Sequence, residues 1–156
     1  MIRGLHHAAY RCRDSEETRR FYEDFLGLPL VGTLAISESR TGREADVLHT
    51  FYQMDDGSCL AFFEAPREPF EFKQQHDYDL HIALTVDAAT LQTMLAKGRA
   101  AGIETRGVSD HGFIDSIYFR DPNGYVIELA TPKRDFSADP ASCRQARASL
   151  DAWKAR

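Results

Sequence analysis

No stretch of this 156-residue chain approaches the ~20 consecutive apolar residues of a membrane-spanning helix, and its opening, Met1-Ile2-Arg3-Gly4-Leu5-His6-His7, lacks the long apolar core of a secretion signal. A soluble, cytoplasmic protein is expected. Positive charge is also scarce: 19 Lys and Arg stand against 24 Asp and Glu, the net charge is -5, and the basic residues are scattered. A polyanion finds no footprint here, so neither nucleic acid nor membrane is expected as a partner. The three cysteines, Cys12, Cys59 and Cys143, are odd in number and far apart, and offer neither a disulfide framework nor a thiolate-rich metal site.

What is present is apolar material for one core, 43% of the chain, arranged in a pattern that occurs twice. Residues 4–12 read as a strand. Asp14-Ser15-Glu16-Glu17 then offers an N-cap with a carboxylate three positions later, and Phe21, Tyr22, Phe25 and Leu26 recur at helical spacing until Gly27. Strands near 29–36, 46–54 and 59–64 follow, separated by a polar loop at 37–44 and the turn Asp55-Asp56-Gly57. The second half begins with a strand from Leu80 to Val86, caps a helix with Asp87, carries Leu91, Met94 and Leu95 on one face and stops at Gly102. Strands near 104–109, 114–120 and 125–130 complete it, with Asp121-Pro122-Asn123-Gly124 as the last turn. The expected order is βαβββ twice: module one at 1–65, a linker at 66–79, module two at 80–132 and a helical tail at 133–156. Neither module could cover its sheet alone.

Each module opens on a histidine and closes on a carboxylate: His7 and Glu64 in the first, His81 and Glu128 in the second. A carboxylate ending an apolar run needs a counter-charge, and a divalent cation held between the halves would supply it. Strand alternation sets His81, Ala83 and Thr85 against the apolar face of Ile82, Leu84 and Val86. It also turns Glu128 away from the face of Tyr125, Ile127 and Leu129. His81 and Glu128 therefore share one concave surface. In the first strand His7 falls with Ala9 and Arg11, and is preferred to His6.

Four pieces in this order resemble the vicinal oxygen chelate superfamily of glyoxalase I, extradiol dioxygenases and antibiotic-resistance proteins. They are Leu5-His6-His7 with Asp14, Arg20-Phe21-Tyr22 through Leu26-Gly27-Leu28, His81-Ile82-Ala83-Leu84 with Asp87, and Asp121-Pro122-Asn123-Gly124 through Glu128. The resemblance covers residues 1 to about 132. It implies an α+β fold of two tandem βαβββ modules forming a curled mixed sheet around a metal, a small-molecule substrate bound through adjacent oxygens, and a homodimer. It carries His7, Glu64, His81 and Glu128 onto the metal-facing positions of glyoxalase I. Imidazole and carboxylate together suit Fe(II), which is favoured, and also Mn, Ni, Co or Zn.

A further likeness points toward oxygen chemistry. His111, Ile117-Tyr118, Asp121-Pro122, Asn123, Gly124 and Glu128 look like the extradiol dioxygenase motif, with Ser109 the one departing position. The implied ligands are then His7, His81 and Glu128, with His111 and Tyr118 hydrogen-bonding the oxygens of a catechol-like substrate. The larger extradiol enzymes also place an acid-base histidine on the strand matching Ser58 through Phe63, where none stands. His49 on the preceding strand is the available substitute. Glu64 is surplus to a three-ligand site and belongs to the alternative, a glyoxalase I-type lyase or isomerase, in which a carboxylate moves a proton within a hemithioacetal and Arg40 and Arg43 would grip the thiol component. A third possibility is a non-enzymatic drug-binding protein, whose kind usually lacks the metal residues. In the tail, residues 141–156 read as a helix with Cys143, Ala146, Leu150 and Trp153 on one stripe, suited to anchoring on this domain or a second subunit.

Overall fold

The computed structural model describes residues 1–38, 42, 44–134 and 138–156. Strand β1 (His7–Cys12) leads into helix α1 (Ser15–Arg19), which continues as a π-helix over Arg20–Phe25. Strands β2 (Leu30–Glu38), β3 (Glu44–Gln53) and β4 (Cys59–Glu64) follow. The second half repeats the order with β5 (His81–Thr85), α2 (Ala88–Ala100), β6 (Thr105–Asp110), β7 (Ile114–Arg120) and β8 (Val126–Pro132). Helix α3 (Pro140–Lys154) comes last. Each half makes one mixed four-stranded sheet, ordered β1-β4-β3-β2 and β5-β8-β7-β6, so β1 and β5 are edge strands.

Local chemistry sets the helix starts. The Asp14 carboxylate accepts the Glu17 N–H at 2.8 Å and the Asp87 carboxylate accepts the Thr90 N–H at 2.7 Å, each satisfying a donor that the first helical turn leaves unpaired. Register then decides what faces what. In the parallel pair β1–β4, His7 lies opposite Cys59, Ala9 opposite Ala61 and Cys12 opposite Glu64. In β5–β8, His81 lies opposite Val126 and Ala83 opposite Glu128. Residues opposite one another point to the same face.

One face of each sheet is apolar and looks toward the helices. Tyr10, Tyr52, Leu60 and Phe62 from the first sheet and Ile82, Ile117, Phe119, Ile127 and Leu129 from the second join α1, its π-helical extension and α2 in a single buried cluster. Phe25 meets Phe119 with ring centroids 5.1 Å apart, and Tyr10 meets Tyr125 at 5.6 Å. Polar bonds fix the join: the Tyr22 hydroxyl donates to Asp121 Oδ2 at 3.0 Å, the Arg13 N–H to Asn123 Oδ1 at 2.9 Å, and the Tyr125 hydroxyl to the Arg11 carbonyl at 2.9 Å. Burial pushes the Asp121 carboxyl above its ordinary value, opposed by the donors around it. The modules are thus packed through their helix sides, which leaves the opposite sheet faces pointing outward.

The turn at 121–124 also places the linker. Gly124 has φ +96°, and a Cβ there would collide with the Lys73 carbonyl, so only glycine lets the linker cross this closely. The Gln75 N–H donates to the Gly124 carbonyl at 2.9 Å, and two residues later the linker delivers Asp77 beside His81. Helix α3 is capped by Asp139, which accepts from Ala141 and Ser142, and Pro140 opens it. None of its residues is buried.

Candidate metal centre

On the outward face of the second sheet, Glu128 is 5% exposed and Ser116 is fully buried. The Ser116 hydroxyl, on the strand next door, donates to Glu128 Oε1 at 2.5 Å. The other carboxylate oxygen, Oε2, stands 3.2 Å from His81 Nε2. His81 Nδ1 lies 2.7 Å from the Asp77 carbonyl, which can only accept, so Nδ1 donates there. Nε2 is thus the ring nitrogen that faces Glu128 Oε2, and a divalent ion between the two would supply the positive charge the buried carboxylate needs. The 3.2 Å separation also matches two donors each ~2.1 Å from one ion. The donor set therefore fits a divalent metal, and the carbonyl holding the far nitrogen is the outer partner that metal-binding histidines ordinarily have.

The first sheet divides the two residues read from it. His7 lies on the outward face, exposed, with Nδ1 at 2.7 Å from His6 Nδ1 and its ring 6.0 Å from His49 and 5.6 Å from Phe51. Glu64 lies on the other face, opposite Cys12, and its Oε2 accepts the Ser15 N–H at 2.8 Å as a second cap on α1. The structure does not bring Glu64 to His7. The position in β4 that matches Glu128 in β8 is Ala61, because the strands start their pairing at Cys59 and Val126. The sequence held a signal for this: Gly57 and Gly124 both close the preceding turns, and four residues beyond them stand Ala61 and Glu128. Nor does one chain bring His7 to His81 and Glu128. Among the described residues, no three metal-ligating groups converge.

His111 and Tyr118 do come together with Glu128. His111 Nε2 is 2.8 Å from the Tyr118 hydroxyl, which also lies 3.5 Å from Glu128 Oε1. Partial burial, and then the Glu128 carboxylate, push the Tyr118 hydroxyl above its ordinary value, so it stays a proton donor at neutral pH. Two neighbours escaped the sequence reading. Arg106 lies with its guanidinium carbon 5.0 Å from the centre of the Tyr118 ring, and its Nη2 holds both oxygens of the Asp77 carboxylate, at 2.8 and 3.0 Å. Ser116 and Arg106 share the face of Tyr118 by alternation, which is the signal that could have found them.

His49 is buried on the outward side of the first sheet, stacked on Phe63 with centroids 3.7 Å apart, and its Nδ1 reaches the Phe62 carbonyl at 3.0 Å. Arg40 and Arg43 lie outside the described residues. A cleft of about 750 Å3 separates the edges β1 and β5, lined by Tyr10, Leu60, Ile82, Leu84 and Met94, with His81 at its margin.

The family model described as the Glyoxalase/Bleomycin resistance protein/Dioxygenase superfamily matches residues 4–129. No curated protein matches the sequence. Among solved structures, a glyoxalase/dioxygenase from Nostoc punctiforme is 22% identical with a TM-score of 0.64, the match covering 85% of this chain and 92% of that one. The fosfomycin resistance protein FosX from Listeria monocytogenes is 19% identical with a TM-score of 0.63, covering 85% of this chain and 96% of that one. A mutant of that FosX was solved with Mn(II) and a dihydroxypropylphosphonic acid. The antibiotic binding protein TnmS3 from a Streptomyces strain is 19% identical with a TM-score of 0.61, covering 85% of this chain and 98% of that one. These likenesses establish the fold. No helix among the described residues is long and apolar enough to cross a membrane.

Proposed function

Because the chain belongs to the Glyoxalase/Bleomycin resistance protein/Dioxygenase superfamily, we propose that it is a divalent-metal-dependent enzyme, with iron favoured, acting on a small molecule held through adjacent oxygens, in the manner of an extradiol dioxygenase. The observation that carries this is His81 Nε2 standing 3.2 Å from the buried Glu128 carboxylate, with Nδ1 held by the Asp77 carbonyl. With His7 as third ligand the set is two imidazoles and one carboxylate, the kind that leaves coordination positions open. In a homodimer, the outward face of one copy's first sheet closes over the outward face of the other copy's second sheet, and His7 from one meets His81 and Glu128 from the other.

A bound metal supplies positive charge for two adjacent substrate oxygens and, as iron, the electrons that dioxygen chemistry needs. The chain's own groups do the rest. Ser116 holds the carboxylate in one orientation through Oε1. His111, exposed at the end of the hydrogen bond to Tyr118, takes the proton of a substrate hydroxyl. Tyr118, kept protonated, donates to the oxygen on which charge develops. Phe51 and Phe63 flank His49 on the opposing face and exclude water from that side.

The glyoxalase I-type alternative calls for a second carboxylate on the metal side, and Ala61 occupies that place while Glu64 caps a helix. Retention of all three ligand types argues against a binder without metal. The test is anaerobic purification with metal analysis, then oxygen uptake with catechols and product formation with methylglyoxal plus glutathione. Oxygen uptake that requires iron is expected. Proton-transfer chemistry with nickel, cobalt or zinc would replace the reading by the isomerase, and protein that takes up no metal would leave a binding protein.

A further inference from the structure

Two groups of the proposed centre, the imidazole of His81 and the phenol of Tyr118, come from different strands, yet both are tied to one ion pair. The Asp77 main-chain carbonyl accepts the His81 Nδ1–H at 2.7 Å, while the Asp77 side chain grips Arg106 through both carboxylate oxygens at 2.8 and 3.0 Å. The Arg106 guanidinium in turn lies against the Tyr118 ring, 5.0 Å from its centre, and Tyr118 reaches His111 at 2.8 Å. Asp77 belongs to the linker, Arg106 to the edge strand β6 and Tyr118 to β7; the ladder sets Arg106 opposite Tyr118, and the ion pair ties the linker to both. Arg106 also stands 3.9 Å from Glu104, so its charge is already matched by carboxylates of this chain rather than left for a ligand.

We propose that Asp77 and Arg106 form a positioning pair for the metal centre: Asp77 orients the His81 imidazole through its carbonyl, and Arg106 fixes Asp77 while bracing the Tyr118 ring. This rests on the metal reading given above. Arg106 suits the task because a guanidinium can hold a carboxylate through one nitrogen while its plane lies against an aromatic ring, whereas an ammonium offers no such plane. Outer groups of this kind ordinarily change metal affinity by about ten- to a hundredfold. The pair is partly exposed, with side chains 30% and 47% accessible, so its effect on the fold itself is small.

The test uses the full-length protein and Co(II), whose visible spectrum reports both occupancy and ligand geometry. Wild type should bind Co(II) with a ligand-field spectrum. Arg106→Gln and Asp77→Asn should each weaken binding by about tenfold and shift the spectrum, with unchanged circular dichroism and melting. The double variant should be no worse than either single one, because the two act as a unit. Arg106→Lys should restore part of the affinity, and this keeps the test decisive if Arg106→Gln folds poorly. Wild-type affinity and spectrum retained in Arg106→Gln and Asp77→Asn would overturn the positioning role alone. Failure of wild type to bind Co(II), or binding that survives Glu128→Ala, would overturn the metal reading on which it stands.

Discussion

At Glu128 a carboxylate is buried with one oxygen satisfied by Ser116 and the other 3.2 Å from the His81 imidazole, whereas at Glu64 the same side chain is spent on the Ser15 N–H at the start of α1. The two glutamates close similar apolar runs, but they have different work, and replacing each should separate it. Glu128→Gln removes the charge that balances a cation, so the purified variant should retain no stoichiometric metal by elemental analysis while its circular dichroism stays that of wild type. Glu64→Ala should keep the metal and lose stability of about 0.5–2 kcal/mol, the usual cost of a lost helix cap, in urea unfolding. Metal lost with Glu64→Ala would return it to the ligand set. His81 and Glu128 were legible because period-two alternation is enforced by an apolar face on the other side, Ile82 and Leu84 in one strand and Ile127 and Leu129 in the other. Glu64 ends its strand much as Glu128 does, but register decides the face, and register sets Ala61 at the position that matches Glu128. The end of a strand can move by a residue without penalty, and each such step turns a side chain to the other face. Counting from the turn glycines, which fix where the last strand of each module begins, separates Ala61 from Glu64.

The caps of α1 and α2, and the order βαβββ in each half, were readable because they depend on neighbours in sequence: an aspartate before a helix, a glycine after it, a polar turn between strands. Helix α3 shows where such reading stops. Its stripe of Cys143, Ala146, Leu150 and Trp153 has the spacing of a buried face, yet Leu150 is 45% and Trp153 65% exposed, and no residue of the helix is buried. Its apolar stripe therefore contributes little to the stability of a single chain, and we propose a second copy as its cover. Trp153 is the only tryptophan in the sequence, so it reports this without a label. Its emission should move to shorter wavelength as protein concentration rises through the association range. Deletion of residues 141–156 should lower the mass in solution while leaving melting at low concentration unchanged. Emission that stays at the wavelength of solvated indole at every concentration would count against α3 as an association element.

One hydrophobic core joins the two modules through their helix sides, fastened by Tyr22, Asp121, Asn123 and Tyr125, and this single fact decides the layout of the molecule. With the helix sides committed inward, the faces bearing His7 and the His81–Glu128 pair must look outward, and the edges β1 and β5 stay apart across the cleft that Tyr10 and Ile82 line. Alternation in a strand can tell which side chains share a face, but it carries nothing about which faces of two sheets meet, so this division was beyond the reach of the sequence. On the reading proposed above, a complete ligand set would need two copies related by a twofold axis, each contributing one half to each of two equivalent centres. That arrangement has a consequence no single-chain centre shares. His7→Ala alone and Glu128→Ala alone should each leave every site one ligand short, and neither preparation should retain metal. When the two variants are unfolded together and refolded as a mixture, a mixed dimer unites His7 from the Glu128→Ala copy with His81 and Glu128 from the His7→Ala copy, and one of its two centres is whole. Random pairing makes about half of the dimers mixed, so about a quarter of the wild-type metal content should return, measured per chain after removal of loose ions. The same mixture would stay empty if each centre were built within one chain, since neither variant could then lend the other what it lacks.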